Sequence, residues 1–323
     1  MQGIPGNVER GRQVCSAIID NISRVLVGKR EAAEMALAAL LCEGHVLIED
    51  IPGVGKTSLA AAMARSVDCS FQRIQFTPDI LPSDITGFSL FNPKTGEFEY
   101  RPGLVLSSFV LADEINRTSP KTQASLLEVM EESQVTVDGV TRRVGPPFMV
   151  IATQNPLEYV GTYPLPEAQM DRFLMRIALG YPEKNEEESI LRRFKTEDPM
   201  EELEPVAAAE HIVALQRGVR AIHVEDSLYT YITELVRATR AHPDVELGAS
   251  PRGSLALFRA AQAWALLEGR SYVLPDDVKR MARPVLSHRL VLRQEARLRR
   301  VSQQGVVDSV LYQTSVVGSP NGQ

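Results

Sequence analysis

The apolar positions divide the chain into two parts that meet near residue 182. Before that point, five short apolar runs rich in β-branched or aromatic residues alternate with helical stretches. Most runs are nearly continuous, which is typical of strands buried on both faces of a parallel sheet. The pattern therefore predicts that residues 1–182 form an α/β core around a five-stranded parallel sheet. The five runs are His45–Glu49, Phe71–Phe76, Phe109–Ala112, Phe148–Thr153 and Phe173–Ala178.

After residue 182, apolar residues recur only at helical spacing, so residues 183–323 are predicted to form an all-helical lid and a C-terminal segment. The helices predicted in the core are Val8–Leu26, Arg30–Cys42, Lys56–Val67 and Pro120–Glu132. Those predicted in the second part are Val206–Arg217, Asp226–Ala241, Pro251–Glu268 and Pro275–Arg283.

Two stretches of the core carry the pattern of β-hairpins. In Gly87–Tyr100, alternating apolar residues flank an Asn-Pro-Lys-Thr-Gly turn. Gln134–Val144 folds about Asp138-Gly139, a strong two-residue turn signal. We expect both hairpins as inserts in the core. Arg142 and Arg143 on the second one face either a substrate or solvent.

Composition narrows the class of protein without naming a chemistry. The 323 residues are 44% hydrophobic and 24% charged, with a formal net charge of −6. The negative charge disfavours nucleic acid or anionic lipid as a partner of the whole surface. The three cysteines are far apart and indicate neither a disulfide framework nor a zinc site. With no apolar run of about 18 residues, we expect a cytoplasmic protein without membrane insertion.

A candidate phosphate-binding loop follows the first predicted strand. The stretch from residue 48 to 58 reads IEDIPGVGKTS and matches the second half of the G-x-x-x-x-G-K-[ST] pattern. Glycines let backbone N–H groups approach phosphate, Lys56 reaches the β- and γ-phosphates, and Thr57 ligates Mg²⁺. Asp50 replaces the first glycine, which is sterically acceptable if its carboxylate points away from the phosphates. The alternative is a glycine turn with a surface lysine.

A buried strand that ends in two carboxylates supplies the second half of a hydrolytic site. Asp113 is expected to hold the Mg²⁺ shell, and Glu114 to polarise the attacking water. Taken alone, this pair also fits an N-cap for the next segment. Asn155 follows another strand, where it either orients water or begins an Asn-Pro turn.

The combination resembles the MoxR family of AAA+ ATPases over about residues 8 to 300. The stretches that carry the resemblance are IEDIPGVGKT, ADEINR, TQNP, LPEAQMDRF and GASPR. Aspartate in place of the first loop glycine is also how many members of that family are written. The resemblance implies a P-loop AAA+ core with hairpin inserts and a helical lid, and an ATPase that uses ATP and Mg²⁺.

The resemblance also implies roles for individual residues. Asn155 maps to sensor 1, Arg172 to an arginine finger acting on ATP in the neighbouring subunit, and Arg252 to sensor 2. Either arginine is otherwise an ordinary surface or salt-bridge residue. The expected catalytic set is Glu114, Lys56, Asn155, Arg172 and Arg252, and the expected metal ligands are Thr57 and Asp113. The expected nucleotide contacts are Val27, Gly28, Pro52, Gly53, Val54, Gly55, Lys56, Thr57 and Ser58.

Three functions stay open at the level of sequence. The first is a chaperone-like remodeller: a homo-oligomeric ring, expected to be hexameric, that matures protein partners such as von Willebrand factor A domain proteins. The second is a nucleic-acid motor, which the hairpin arginines favour and the net charge disfavours. The third is a non-catalytic nucleotide switch, which the intact loop and acidic residues disfavour. The basic segment from Arg280 to Arg300 is either a contact surface or a solvated helical face.

Overall fold

Eleven strands and thirteen α-helices make up the described part of the computed structural model, which covers residues 5–156, 161–193 and 199–316. The strands are β1 (Val46–Glu49), β2 (Phe71–Gln75), β3 (Gly87–Asn92), β4 (Glu97–Pro102), β5 (Phe109–Asp113), β6 (Gln134–Val137), β7 (Val140–Arg143), β8 (Met149–Gln154), β9 (Met175–Ile177), β10 (Val245–Leu247) and β11 (Val291–Leu292).

The helices alternate with the strands of the core and then continue through the C-terminal region. They are α1 (Pro5–Val25), α2 (Arg30–Leu41), α3 (Lys56–Ser66), α4 (Pro82–Thr86), α5 (Pro120–Glu132), α6 (Glu167–Met170), α7 (Lys184–Arg193), α8 (Ala209–Val219), α9 (Asp226–Ala241), α10 (Pro251–Leu267), α11 (Pro275–Leu286), α12 (Gln294–Leu298) and α13 (Gln303–Gln313). Two short 3-10 helices span Ile115–Arg117 and Ser287–Arg289.

The central sheet has the strand order β2-β5-β8-β1-β9, and every neighbouring pair is parallel. This confirms the predicted five-stranded parallel sheet, with strand ends that differ from the prediction by one or two residues. Because all five strands run the same way, their carboxyl ends lie along one edge of the sheet. That edge is where ligands bind in open α/β sheets.

Buried side chains on the two faces of the sheet belong to two separate apolar clusters. In β1, Val46 and Ile48 join one cluster and Leu47 joins the other, as the two-residue period of a strand requires. The first cluster continues through α1, α2 and α3 into the C-terminal helices α8 to α11. The second is closed by α5, whose Leu126, Leu127 and Met130 are buried.

The C-terminal region is helical, as predicted, and also contains a short ribbon of β10 and β11 that the apolar pattern did not predict. Helix α7 was missed as well. None of its side chains is buried, so it has no apolar stripe to detect. The domain boundary near residue 182 stays a prediction. Among the described residues, no helix has the length and apolar character needed to cross a membrane.

Both predicted hairpins are present, and they contact each other. Strands β3 and β4 form the first and β6 and β7 the second. The guanidinium carbon of Arg142 in β7 lies 3.7 Å from the ring centre of Tyr100 in β4, which is a cation–π contact. The first hairpin also exposes four large apolar side chains: Phe88, Leu90, Phe91 and Phe98.

Candidate nucleotide site

The phosphate-binding loop connects β1 to α3 at the carboxyl edge of the sheet. Gly53 and Gly55 have φ values of +84° and +97°, in the left-handed region that favours glycine. A β-carbon would meet nothing within 4 Å at Gly53, and its nearest neighbour at Gly55 would be Leu26 Cδ2 at 3.7 Å. The loop therefore leaves open space beside its backbone at the start of α3, where N–H groups attract anions.

Asp50 is buried with its carboxylate turned toward the end of β9. Its Oδ2 accepts hydrogen bonds from the N–H groups of Leu179 (2.6 Å) and Gly180 (2.7 Å), and its Oδ1 accepts one from Ile51 N–H (2.8 Å). The backbone carbonyl of Asp50 accepts a bond from Lys56 Nζ at 2.7 Å. Thus the residue that replaces the first loop glycine fastens the loop to the neighbouring strand, and its carbonyl holds the lysine.

Lys56 lies among three carboxylates. Burial lowers the pKa of its ammonium group, while the negative charges of Asp113, Asp50 and Glu114 act in the opposite direction. The lysine is therefore partly desolvated and close to the acidic strand end. This is the arrangement that a triphosphate and a divalent cation need, because both charges are then met by opposite charges nearby.

Asp113 ends β5, and each oxygen of its carboxylate has a protein partner. Thr153 Oγ1 in β8 donates to Oδ1 at 2.6 Å, and Arg73 Nη2 in β2 donates to Oδ2 at 2.6 Å. The same Thr153 oxygen accepts the N–H of Glu114 at 2.9 Å. Strands on both sides of β5 therefore fix the orientation of the acidic pair.

Glu114 has a left-handed backbone, with φ of +58°, which is uncommon for a residue that is not glycine. Its Oε2 accepts a hydrogen bond from Gln75 Nε2 at 2.9 Å and pairs with Arg117 Nε at 3.1 Å. Such strained positions cluster at functional sites. The carboxylate is held by β2 on one side and by the 3-10 helix on the other.

Sequence reasoning missed four of these partners: Arg73, Gln75, Arg117 and Thr153. Thr153 had a signal, since the strand period places it on the same face as Asn155. Arg73 and Gln75 had none, because their position depends on β2 pairing with β5 rather than with any other strand. Asn155 itself is buried directly beyond β8.

The predicted adenine-side residues, Val27 and Gly28, follow α1 close to the phosphate loop. Gly28 has φ of +72°, and a β-carbon there would lie about 2 Å from the carboxylate of Glu186 in α7. Lys29 Nζ donates to the carbonyl of Tyr181 at 2.9 Å. This segment is therefore packed against the chain that leads from the core to the C-terminal helices.

Arg172 and Arg252 lie together at the opposite edge of the sheet. Arg172 Nη1 donates to the carbonyl of Leu127 at 2.7 Å and pairs with Glu131 Oε2 at 3.1 Å. Arg252 Nη2 pairs with the other oxygen of Glu131. All three side chains meet near the last turn of α5.

His45 shows which edge of the sheet this is. It precedes β1, so it lies at the amino ends of the strands. Its Nδ1 accepts the N–H of Val150 (3.0 Å), which leaves Nε2 to donate to the carbonyl of Met130 (2.9 Å) in α5. Its own carbonyl accepts the N–H of Leu174, two residues beyond Arg172, at 2.8 Å. Burial lowers the pKa of His45 from 6.5 to about 4.

A buried ion pair ties the Arg172 segment to the C-terminal region. Arg289 Nε donates to Asp171 Oδ1 at 2.7 Å, and Arg289 Nη2 donates to the carbonyl of Phe173 at 2.7 Å. The side chain of Arg289 is only 3% exposed. Asp171 Oδ2 also accepts the hydroxyl of Ser250, the N-cap residue of the helix that carries Arg252.

Most arginines of the basic segment from residue 280 to 300 bind groups within the chain. Six of the seven have such partners, and four of these six pair with a carboxylate, so more than half of the positive charge of the segment is compensated within the chain. They are Arg280 with Glu31, Arg283 with Asp308, Arg289 with Asp171, Arg293 with the Val245 carbonyl, Arg297 with the Leu292 carbonyl, and Arg299 with Asp244.

The residues of the carboxyl edge fit Mg²⁺ and a nucleoside triphosphate. The loop offers open space beside two left-handed glycines at a helix start. Asp113 and Thr57 carry oxygen atoms of the kind that Mg²⁺ prefers and are the residues that would hold it, with Asp113 bonded at present to Thr153 and Arg73. Lys56 provides the positive charge for the phosphates.

Comparison with known proteins identifies the family. A sequence model described as "ATPase family associated with various cellular activities (AAA)" matches residues 45–175, and one described as "AAA lid domain" matches residues 237–310. Chaperone MoxR1 of Mycobacterium tuberculosis is 42% identical over 302 residues, which cover 91% of this chain and 80% of that protein. The chain belongs to the MoxR family of AAA+ ATPases.

Other relatives agree with this assignment. Protein MoxR of Paracoccus denitrificans is 33% identical over 84% of this chain and 86% of that protein. The uncharacterized protein YeaC of Bacillus subtilis is 55% identical over 92% of this chain and 93% of its own. A crystal structure from Cytophaga hutchinsonii, of a protein described only provisionally as an ATPase, superposes with a TM-score of 0.89 at 37% identity, covering 96% of this chain and 97% of that one.

Family membership confirms two predictions made from the sequence. The protein is an ATPase, and its fold is a MoxR-type AAA+ core with a helical lid. As a member of a chaperone-like ATPase family, it binds nucleotide. The roles of individual residues stay proposals.

Proposed function

We propose that this MoxR-family ATPase works as a ring in which each subunit binds Mg·ATP at its carboxyl edge and completes the site of its neighbour with its amino edge. We name these regions the nucleotide edge (Asp50, Lys56, Asp113 and Glu114) and the arginine edge (Glu131, Asp171, Arg172 and Arg252). The ring is proposed to have six subunits and to remodel protein partners.

The separation of the two edges carries the proposal. Helix α5 begins after the acidic pair and ends at the arginine edge. The rise from Pro120 to Glu131 is about 16 Å at 1.5 Å per residue. An arginine side chain cannot span that distance, so Arg172 and Arg252 do not reach a phosphate beside Lys56 of the same chain in this conformation. A second subunit provides a phosphate that they can reach.

The residues of the nucleotide edge divide the chemistry among themselves. Lys56 and the loop N–H groups would bind the phosphates, and Thr57 and Asp113 would hold Mg²⁺. Glu114 would accept a proton from the attacking water, oriented by Gln75 and Arg117, with Asn155 nearby at the end of β8. Bound Mg·ATP supplies the phosphoanhydride bond and a cation that offsets its charge.

Protein partners fit the surface better than nucleic acid does. The first hairpin exposes four large apolar side chains, and exposed apolar patches mark contacts with proteins. Of the two hairpin arginines that favoured a nucleic-acid motor, Arg142 stacks on Tyr100 and Arg143 is exposed. Six arginines of the basic segment bind groups within the chain. The name of the relative Chaperone MoxR1 also supports a protein substrate. We include von Willebrand factor A domain proteins among the proposed partners, as the family resemblance implies.

Mixing two inactive variants tests whether one subunit completes the site of the next. Arg172→Ala keeps its own nucleotide edge, whereas Glu114→Gln keeps its own arginine edge. Each alone should lose ATP turnover, by about 10³-fold or more for the arginine. Their mixture should recover part of it, measured as phosphate release. Turnover by Arg172→Ala alone at the wild-type rate would refute the proposal, and Arg220→Ala, an exposed arginine elsewhere, is the matched control.

Capture of partners tests the choice between protein and nucleic acid. Glu114→Gln should hold ATP without hydrolysing it and so retain its partner. Protein identified in the captured material, with a yield that depends on ATP, supports the remodeller. Nucleic acid without protein, lost steeply as salt is raised, supports the motor instead.

A further inference from the structure

Glu131 is the common partner of the two arginines of the arginine edge. Its Oε2 lies 3.1 Å from Arg172 Nη1, and its Oε1 contacts Arg252 Nη2. Arg172 lies between α6 and β9 of the core, whereas Arg252 lies in the first turn of α10 in the C-terminal region. A single carboxylate therefore joins side chains that are separated by 80 positions in the chain.

A second connection lies beneath the first. Asp171, the residue before Arg172, accepts the Ser250 hydroxyl at 2.9 Å, and Ser250 Oγ accepts the N–H of Arg252 at 3.2 Å. Asp171 is fixed in turn by the buried Arg289 at 2.7 Å. The backbones that carry the two arginines are thus held side by side, and Glu131 decides how their side chains point.

Charge explains why a carboxylate is needed at this place. Two guanidinium groups held this close repel each other, although water screens part of the repulsion because Arg172, Glu131 and Arg252 are 30%, 33% and 50% exposed. One carboxylate that accepts from both offsets this repulsion. Both contacts of Arg172 use the same nitrogen, Nη1, so within the described contacts its Nε and Nη2 are left for another acceptor. A guanidinium can therefore bind Glu131 on one side and phosphate oxygen on another.

We propose that Glu131 is a positioning residue that makes Arg172 and Arg252 one paired receptor for phosphate presented by a neighbouring subunit. It touches neither the nucleotide nor the water. It acts by holding the two cations beside each other on one carboxylate. This inference rests on the proposed function, since it assumes that the arginine edge serves a second subunit.

The test is Glu131→Gln, with Glu128→Gln as the matched control on an exposed position of the same helix. A misplaced arginine pair should lower kcat by about tenfold, because small displacements of catalytic groups have large effects on rate. The KM for ATP should stay within about twofold, since the nucleotide edge is untouched. Glu131→Asp, which keeps the charge, should recover part of the loss, and Glu128→Gln should behave as wild type.

Mixed assemblies separate positioning from a structural defect. Glu131→Gln subunits mixed with Glu114→Gln subunits should regain turnover, because each Glu131→Gln nucleotide can then be served by an intact arginine edge. A folding defect stays within its own subunit and is not rescued. Adding Glu131→Gln to the Arg172→Ala variant should lower kcat by much less than a further tenfold, because the pair of arginines is already broken.

The outcomes distinguish this inference from the proposed function. If Glu131→Gln turns over ATP at the wild-type rate while Arg172→Ala is inactive and rescued by mixing, the positioning role is refuted and the ring mechanism stands. If Glu131→Gln is slow but mixing rescues only Arg172→Ala, the positioning role is also refuted. If Arg172→Ala itself is as active as wild type, the proposed function fails first.

Discussion

The nucleotide edge and the arginine edge are built in different ways. At the nucleotide edge, backbone geometry does most of the positioning, with two left-handed glycines, a left-handed Glu114 and strand ends in fixed register. At the arginine edge, side chains from α5, the segment before β9, α10 and the second 3-10 helix meet through ion pairs. The first is formed by the strands and loops of the core, whereas the second also needs side chains from the C-terminal helices.

This difference predicts that the two edges fail in different ways. Changes to Lys56 or Glu114 at the nucleotide edge should abolish hydrolysis and leave the fold intact, whereas Asp50 also ties the loop to the chain after β9. Changes at the arginine edge should affect stability and communication between subunits together. The variants below test that division, beginning with the largest expected effect.

Glu114→Gln should reduce ATP hydrolysis by about 10²–10⁴-fold, the range expected for loss of a general base. Nucleotide affinity should change little, because Lys56 and the loop are untouched. Phosphate release and binding of a fluorescent ATP analogue measure the two quantities. An equal loss of binding and turnover would show that Glu114 holds the nucleotide rather than activating water.

Arg289→Ala should lower the free energy of unfolding by about 3–5 kcal/mol, because it removes the buried cation and leaves the partly buried Asp171 carboxylate with only the Ser250 hydroxyl. Arg283→Ala, which breaks an exposed pair with Asp308, should cost about 0–1 kcal/mol. Urea denaturation of both variants measures the difference. Similar losses of unfolding free energy in the two variants would contradict the view that the arginine edge depends on the pair of Arg289 with Asp171.

Lowering the pH should destabilise the packing around the arginine edge before that around the nucleotide edge. His45 has a pKa of about 4 in the folded protein against 6.5 in the unfolded chain, so the unfolded chain binds its proton first. Stability is therefore lost as the pH falls from about 6.5 toward 4, by up to about 3 kcal/mol for this group. Burial and the nearby Arg289 lower the pKa of His288 as well, which has the same sign.

Urea denaturation at pH 7.5 and pH 5 measures this loss, and His45→Gln should reduce it. Hydrogen exchange at pH 5 should show residues 171–175 and the end of α5 losing protection before β5 does. A stability that is the same at both pH values would show that neither histidine carries the predicted penalty.

Asp50→Asn should lower the free energy of unfolding by about 1–3 kcal/mol, less than Arg289→Ala does. The one amide oxygen of asparagine can still accept from the N–H groups of residues 179 and 180, but its NH2 group then faces the N–H of Ile51, which the carboxylate now accepts. Thermal melting measures the loss. Wild-type stability would show that the tie between the loop and β9 is dispensable.

The sequence was sufficient for the sheet, the hairpins and the nucleotide edge, because these follow from local patterns. A glycine-rich loop after one strand and two acids after another need only the rule that parallel strands end at one edge. Asp50 was acceptable in place of the first loop glycine on the condition that its carboxylate turned away from the loop, and the carboxylate binds the N–H groups of residues 179 and 180. Its bonds to the end of β9 could not be predicted from the sequence, because that prediction requires knowing that β9 lies beside β1.

Partners across long separations could not be predicted in the same way. Glu131 is one of several acidic residues at the end of α5, and nothing in its neighbourhood in sequence distinguishes it from Glu132. The partners of the arginines in the segment from residue 280 to 300 likewise come from distant elements, such as Asp171 and Asp244. A run of basic residues gives the number of positive charges but not their counterions.

The contact of Arg142 with Tyr100 has a consequence for how motion spreads through the molecule. The two hairpins that this contact joins lie on either side of residues 103–133 in the chain, the stretch that holds Asp113, Glu114 and α5. The contact between Tyr100 and Arg142 therefore joins the two hairpins that flank this stretch. A displacement of one hairpin would therefore be felt by the other through Arg142 and Tyr100.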